Sequence, residues 1–426
     1  EFFTIHTVGQ GDTLNLIARQ YDTSTDELVT LNQIEDINII YEGQVLRVPG
    51  PDYEKLISPD FHIIPDSELV YGPAAKTFNV SDFVEPFQGY ILDYEEEVEG
   101  SLLTGLEIVQ LVADRHSVNP RLLLAVLEYQ SSWLSNESPQ ETNYPLGNKD
   151  EGSEGLYKQL SWAANLLNWG YYGRSEGGMT SFLVATEIPI TFSDNLNHGT
   201  AGVYYYLAAR DNISYESWFQ DVSEEGFFST YKQLFGDPFL IEIAPLIPDD
   251  LLQPPLELPW AAGEAWYFTG GPHGGWNTGS AWAALDFVPP DTQGGCFPSE
   301  SWVTAMADGT VTRSGDGAVV VDLDDDAYAG TGWAVTYMHL EDRDRVPLGT
   351  EVKTGDPLGH PGCVGGFTNG THVHIARTYN GRWISTDGTL PIEMGGWLSE
   401  GAGYEYNGWL IRDGIAKTAD ILHSEG

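Results

Sequence analysis

Apolar residues recur along this chain with two different periods, and the places where the period changes divide it. Residues 1–49 open on an extended run at His6-Thr7-Val8 and pass to helical spacing at Ile17, Ala18 and Tyr21. A second helix starts at Ser24-Thr25-Asp26-Glu27-Leu28, and the segment closes on Val45-Leu46-Arg47-Val48-Pro49. The order is strand, helix, helix, strand, with Asp12 or Thr13 capping the first helix and Ser24 or Thr25 the second. Over residues 50–88 the prolines at 51, 59, 65, 73 and 86 break every period, which reads as a linker or a docking strap. Phe61, Ile63, Ile64 and Leu69-Val70-Tyr71 are too apolar for a free tether. Residues 89–239 turn helical, with Leu106, Ile108, Val109, Leu111 and Val112 on one face. Asn119-Pro120 then starts a helix that buries Leu123, Leu124, Val126, Leu127 and Tyr129. Residues 240–258, again proline-rich, read as a second linker. Across 259–426, short runs such as Val319-Val320-Val321-Asp322 and Ala334-Val335-Thr336-Tyr337 alternate with Gly and Asp turns, the pattern of an antiparallel sheet. The expected fold is multidomain α+β.

A chain of 426 residues is too long for one core and suggests two or three domains. No apolar run approaches the roughly 18 residues of a membrane span. The chain starts at Glu1 without a methionine or an apolar leader, as a processed exported product would. Sixty-three acidic residues against nineteen basic ones give a formal charge of −44, spread along the length. That field disfavours nucleic acid as a partner. It repels anionic wall polymers too, so contact with them needs specific groups.

Half of the ten histidines fall between Pro272 and Arg377. In an extended Gly370–Arg377 segment, the period of two puts His372 and His374 on one face, able to converge on one point. His273, Asp286, His339, His372 and His374 stand in an order that resembles the zinc metallopeptidases of family M23, the lysostaphin and β-lytic type, which cut peptidoglycan peptides. The commoner members carry a histidine four residues before the ligand aspartate, where this chain has Trp282. The β-lytic subgroup has it thirteen residues ahead, where this chain has His273. The resemblance implies Zn²⁺ held by His273, Asp286 and His374, with His339 and His372 as catalytic histidines. Ala307-Asp308-Gly309-Thr310-Val311 and Val352-Lys353-Thr354-Gly355-Asp356-Pro357-Leu358-Gly359 extend it. His360 matches no motif position and reads as a loop residue. Trp276, Trp333 and Tyr379 could line a groove or simply pack.

Residues 4–49 resemble a LysM module, a βααβ domain that binds N-acetylglucosamine-containing glycans. By position, the resemblance places a sugar groove between Gly11, Asp12, Thr13 and Leu14 on one side and Asn38, Ile39 and Ile40 on the other. The helical segment 89–239 resembles the lysozyme-like fold of lytic transglycosylases. In those enzymes a glutamate precedes Ser-x-aromatic, whereas Gln130 precedes Ser131-Ser132-Trp133 here. An amide cannot protonate a glycosidic oxygen, and Glu128, two residues earlier, faces another way on a helix. The domain is therefore expected to be a non-catalytic scaffold.

The two cysteines, Cys296 and Cys363, pair most simply in an exported protein, bracing the loop before His372; neither has a CxxC companion of the kind zinc sites use. Asp322-Leu323-Asp324-Asp325-Asp326 invites calcium, but it lacks the glycine turn and terminal glutamate of an EF-hand loop and reads as a solvated hairpin tip. The expectation is a secreted or wall-associated zinc endopeptidase acting on peptidoglycan. The alternatives are a non-catalytic glycan-binding or structural envelope protein, or a glycan hydrolase acting through the middle domain.

Overall fold

The computed structural model describes residues 3–419, apart from 10, 22, 35, 50–55 and 293. The chain forms two compact units, residues 1–244 and 245–426. At the start of the first unit, β1 (Phe3–Thr7), α1 (Leu14–Gln20), α2 (Thr25–Asn32) and β2 (Val45–Pro49) make the expected βααβ module, with β1 and β2 antiparallel. Thr13 Oγ1 accepts from the Leu16 N–H and Ser24 Oγ from the Glu27 N–H, so these two are the caps. Val8, Leu14, Ile17, Ala18, Leu28, Leu46 and Val48 form the module's own core.

The rest of the first unit is helical with small sheets. In order come β3 (Leu56–Ile57), α3 (Asp66–Leu69), α4 (Val80–Val84), the hairpin β4 (Glu95–Val98) and β5 (Ser101–Thr104), α5 (Gly105–His116), α6 (Pro120–Ser131) and α7 (Leu156–Ser175). They are followed by β6 (Ser181–Val184), β7 (Ile188–Thr191), α8 (His198–Ala208), α9 (Tyr215–Asp221) and α10 (Phe227–Phe235). Helices α7 and α8 cross at bare backbone. A Cβ on Gly170 would stand 2.7 Å from Ala201 O, and one on Gly202 2.6 Å from Leu167 O.

Of the two readings of residues 50–88, linker or docking strap, the described part takes the second. Ile63, Ile64, Leu69 and Val70 are fully buried, and Glu68 pairs with Arg121 at 2.6 Å inside the helical core. Proline broke the period there, but apolar side chains still dock the strap. Residues 50–55 lie outside the described residues.

In the second unit a large sheet has the order β14-β11-β12-β13-β16-β9-β8, with β17 on β16. Its strands are β8 (Tyr267–His273), β9 (Ala284–Val288), β11 (Gly309–Gly315), β12 (Ala318–Asp322), β13 (Trp333–Met338), β14 (Glu351–Val352), β16 (Val373–Tyr379) and β17 (Arg382–Trp383). A short pair joins β10 (Val303–Thr304) to β15 (Pro357–Gly359). A four-stranded sheet holds β18 (Glu393–Met394), β19 (Trp397–Gly401), β20 (Gly408–Arg412) and β21 (Ile415–Thr418). Every sheet pairing in this unit is antiparallel, as the turn-punctuated sequence predicts. Leu285, Phe287, Val319, Val321, Val335, Tyr337, Val373 and Ile375 fill its core.

The segment 240–258, expected as a linker, is docked over its second part. From Pro245 on it belongs to this unit. Leu256 sits in the core, the Glu257 N–H donates to Met306 O at 2.8 Å, and Gln253 receives a hydrogen bond from Arg377 and donates to Glu393 O at 2.6 Å. The prolines make an extended strap with anchors, which periodicity does not reveal.

Candidate metal centre

The register of three adjacent strands assembles the site. His374 on β16 stands directly opposite Asp286 on β9, and β8 brings its last residue, His273, alongside Ala284. Two register shifts in β8 let its end turn inward, and Gly270 leaves room for the carboxylate, since a Cβ there would meet Asp286 Oδ2 at 2.5 Å. His273 Nε2, His374 Nδ1 and Asp286 Oδ1 end up 3.0, 3.1 and 3.3 Å apart in pairs, buried among the strands.

The other ring nitrogens fix the tautomers. His273 Nδ1–H donates to Gly271 O at 2.7 Å and His374 Nε2–H to Gly275 O at 3.0 Å. A carbonyl can only accept, so each ring presents a lone pair to the other across 3.0 Å, beside a carboxylate. Such an arrangement calls for a positive charge between the groups, a shared proton or a metal ion. Three donors with this mutual spacing are what a tetrahedral ion with bonds of about 2.0–2.1 Å takes, and nitrogen plus carboxylate ligands suit zinc. The residues fit a metal.

His372 lies one residue before β16, held by an isolated bridge to Gly362. Its Nε2 is 3.6 Å from Asp286 Oδ1, while Nδ1–H donates to Gly370 O at 2.8 Å. His339 follows β13 with a left-handed backbone, φ 65°, pinned by the Gly362 N–H on His339 O and the Leu340 N–H on Gly317 O. Its Nδ1–H donates to Val364 O at 3.0 Å, and its ring centre is 4.5 Å from that of His372. Both histidines therefore carry a lone pair on Nε2.

Electrostatics follow from burial and from these neighbours. Burial would raise the Asp286 pKa, but the imidazoles of His273 and His374 beside it hold it well below the usual carboxylate range. Burial likewise works against His273 as a cation and is outweighed by Asp286, which leaves its pKa raised. His339 goes the other way, pushed well down by burial and then by His372 and His374.

The disulfide Cys296–Cys363 forms, with Cα atoms 5.7 Å apart. Its neighbours reach the site from both ends. The Thr371 N–H donates to Gly295 O at 3.0 Å and Thr371 Oγ1–H to Phe297 O at 2.5 Å, while Gly362 and Val364 bond His339. Tyr406 stacks on His273 at 4.3 Å. The sequence reading missed Tyr406 and the four carbonyls, since nothing in their spacing marks them. His360 stays outside, buried against Trp302 with Nδ1–H on Ser301 O. Trp333 and Tyr379 pair at the far end of β13 and β16, where Trp333 Nε1–H donates to Leu252 O; they hold the strap. Trp276 lies near Gly366.

In the βααβ module Asp12 Oδ2 accepts from Gly9 N–H at 2.8 Å and pairs with His6 Nε2 at 2.9 Å. Gly11, Asn38 and Ile39 are exposed, and Ile40 packs against the core. Leu14 is corrected as a groove residue: it is fully inside that core and offers no side chain to a ligand. In the helical domain Gln130 Oε1 accepts from Arg210 Nη1 at 2.7 Å, and Arg210 also pairs with Asp221. Glu128 accepts from the Leu134 and Ser135 N–H groups and the Ser135 hydroxyl, so its carboxylate caps the chain after α6.

Comparison with known proteins follows the same division. The LysM domain family model matches residues 6–49, that of the LasA N-terminal domain residues 62–247, and that of peptidase family M23 residues 296–386. The M23 match includes His339, His372 and His374; the sheet register supplies His273 and Asp286 from outside it. The middle stretch, expected to be lysozyme-like, thus matches the N-terminal domain of LasA. Protease LasA of Pseudomonas aeruginosa is 25% identical over 340 residues, covering 76% of this chain and 75% of LasA. Among solved structures, the deep-sea M23 metalloprotease pseudoalterin covers 39% of this chain and 96% of its own, at 26% identity and TM-score 0.33. The catalytic domain of lysostaphin from Staphylococcus simulans covers 29% and 89%, at 22% identity and TM-score 0.21.

Proposed function

We propose that this chain, in which a LysM module and a LasA N-terminal domain precede an M23 metallopeptidase domain, is a secreted zinc endopeptidase that hydrolyses the cross-bridge or stem peptides of peptidoglycan. The observation that carries the reading is the convergence of His273 Nε2, His374 Nδ1 and Asp286 Oδ1 at 3.0 to 3.3 Å from one another. These three residues would hold the zinc. When bound, it lowers the pKa of a coordinated water towards about 7 and polarises a carbonyl.

The chain's own groups do the proton work. His372, with Nδ1–H on Gly370 O, offers Nε2 to a water proton at the edge of the ligand set. His339 beside it, kept neutral by burial, can hydrogen-bond the developing oxyanion once it carries a proton, or pass that proton to the leaving amine. The disulfide supports an oxidising destination. Among the described residues, no helix is long and apolar enough to cross a membrane. The LysM module would bring the enzyme to N-acetylglucosamine-containing strands, through Gly11, Asp12 and Thr13 opposite Asn38, Ile39 and Ile40.

Release of new amino groups from purified peptidoglycan tests this. Release that a chelator stops and zinc restores supports the assignment. Binding to the wall without release, across walls of different cross-bridges, would favour a non-catalytic envelope protein. Reducing sugar in place of amino groups would point to the middle domain.

A further inference from the structure

At the opposite end of β12 and β13 from His339, the turn joining the two strands carries a second oxygen-rich cluster. Asp322, Asp324 and Asp326 each place a carboxylate oxygen within 4.8 Å of the other two. Asp322 is the last residue of β12 and fully buried, and its Oδ1 has no hydrogen-bond partner, while Oδ2 accepts from the Ala327 N–H at 3.0 Å. A buried carboxylate oxygen left without a donor is costly unless a cation or a proton serves it. The charged group that bears on Asp322 is Asp324, a like charge.

The backbone supplies the rest. Ala327, the sixth position of the Asp-x-Asp-x-Asp run, has φ 59°, and Asp325 has φ 64°. The sharp left-handed turn that a calcium loop normally gives to glycine is therefore made here by alanine. Asp326 is fixed by the Tyr328 N–H at 2.9 Å and the Thr331 hydroxyl at 2.6 Å. Asp324 folds back over Gly332, where a Cβ would meet its Oδ2 at 2.2 Å. Oxygen ligands alone, on an adaptable turn, suit calcium; ligand oxygens at about 2.3–2.6 Å from one ion stand no more than about 5 Å apart.

We propose that the β12–β13 turn binds one Ca²⁺ through Asp322, Asp324 and Asp326, clamping the end of the sheet remote from the catalytic histidines. The site is independent of the peptidase reading. Burial and the neighbouring Asp324 push the Asp322 pKa up to about 7, so a shared proton is the competing occupant.

The test uses the zinc-loaded full chain and Ca²⁺ alone. Calcium at about one hundred times its Kd should raise the Tm by about 5 °C. Tb³⁺ should bind with one high-affinity equivalent, excited through nearby Tyr328 or Trp333 and displaced by Ca²⁺. The doubly substituted Asp324→Asn, Asp326→Asn chain keeps the Tyr328 N–H bond, with the amide at 326 donating to the Thr331 hydroxyl in place of accepting from it, and should lose both effects, with at least about tenfold weaker Tb³⁺ binding, while retaining peptidase turnover. No calcium-dependent shift in the wild type, or one retained in the double variant, overturns the proposal. The first result would leave the proton as the occupant and the second the general acidic surface.

Discussion

His273 Nε2 and His374 Nδ1 meet at 3.0 Å although their strands are not neighbours; β9, carrying Asp286, lies between β8 and β16. The site is thus a product of sheet register. A one-residue slip of β16 would turn His374 away from the site.

The first prediction separates ligands from proton carriers. His374→Ala and Asp286→Asn should each lower bound zinc from about one per chain to near zero, measured by elemental analysis after dialysis. Turnover should fall with it.

His372→Ala and His339→Ala should keep zinc and lose turnover by about 10²–10⁴-fold. Normal turnover with zinc retained in the His372 variant would sink its assigned role.

Cys296→Ser should destabilise the second unit by about 4 kcal/mol, because the bridge spans a sequence separation of 67 residues. Thermal unfolding followed for wild type and variant checks the size. Turnover in the variant should drop more than zinc content does, since the bridge's neighbours hold Thr371 and His339 by backbone bonds.

His116, fully buried at the end of α5, is pushed down to about 3 by burial and by Arg115. A histidine whose folded pKa lies below its unfolded value of about 6.5 binds its proton more readily when unfolded. Its contribution is therefore intact above about pH 6.5 and lost on acidification towards pH 3. Between pH 6.5 and 4 the first unit should lose up to about 3 kcal/mol from this group. His116→Gln should flatten the dependence by close to one proton, read from denaturant melts across that range.

Glu68 and Arg121 form a buried pair joined by Tyr231. Glu68→Gln strands the guanidinium and should cost about 3–5 kcal/mol. A loss below about 1 kcal/mol in urea unfolding would mean that water reaches Arg121.

Much of this was legible in the residues. The βααβ order, the caps Thr13 and Ser24 and the pairing of Cys296 with Cys363 follow from local pattern and chemistry, and His372 and His374 converge although only the second lies inside a strand. Straps were less legible. Residues 245–258 read as a linker because proline erases period, and what docks them is sparse: Leu256, Gln253 and one backbone bond from Glu257. The turn after Asp322 reads as a solvated hairpin tip in the sequence, and what only the structure adds is the burial of Asp322 and the left-handed backbone of Ala327.

The four carbonyls behind the histidines, Gly271, Gly275, Val364 and Gly370, carry a genetic consequence. A peptide oxygen survives every substitution, so no codon change at those positions deletes the acceptor that sets a tautomer. At Gly271 and Gly275 a substitution acts by another route, because an added Cβ would meet the Asn407 backbone at 2.7 Å or the Trp383 ring at 2.6 Å. The orientation of the chemistry is inherited through main-chain shape, which leaves Val364 free to drift while its oxygen goes on holding His339.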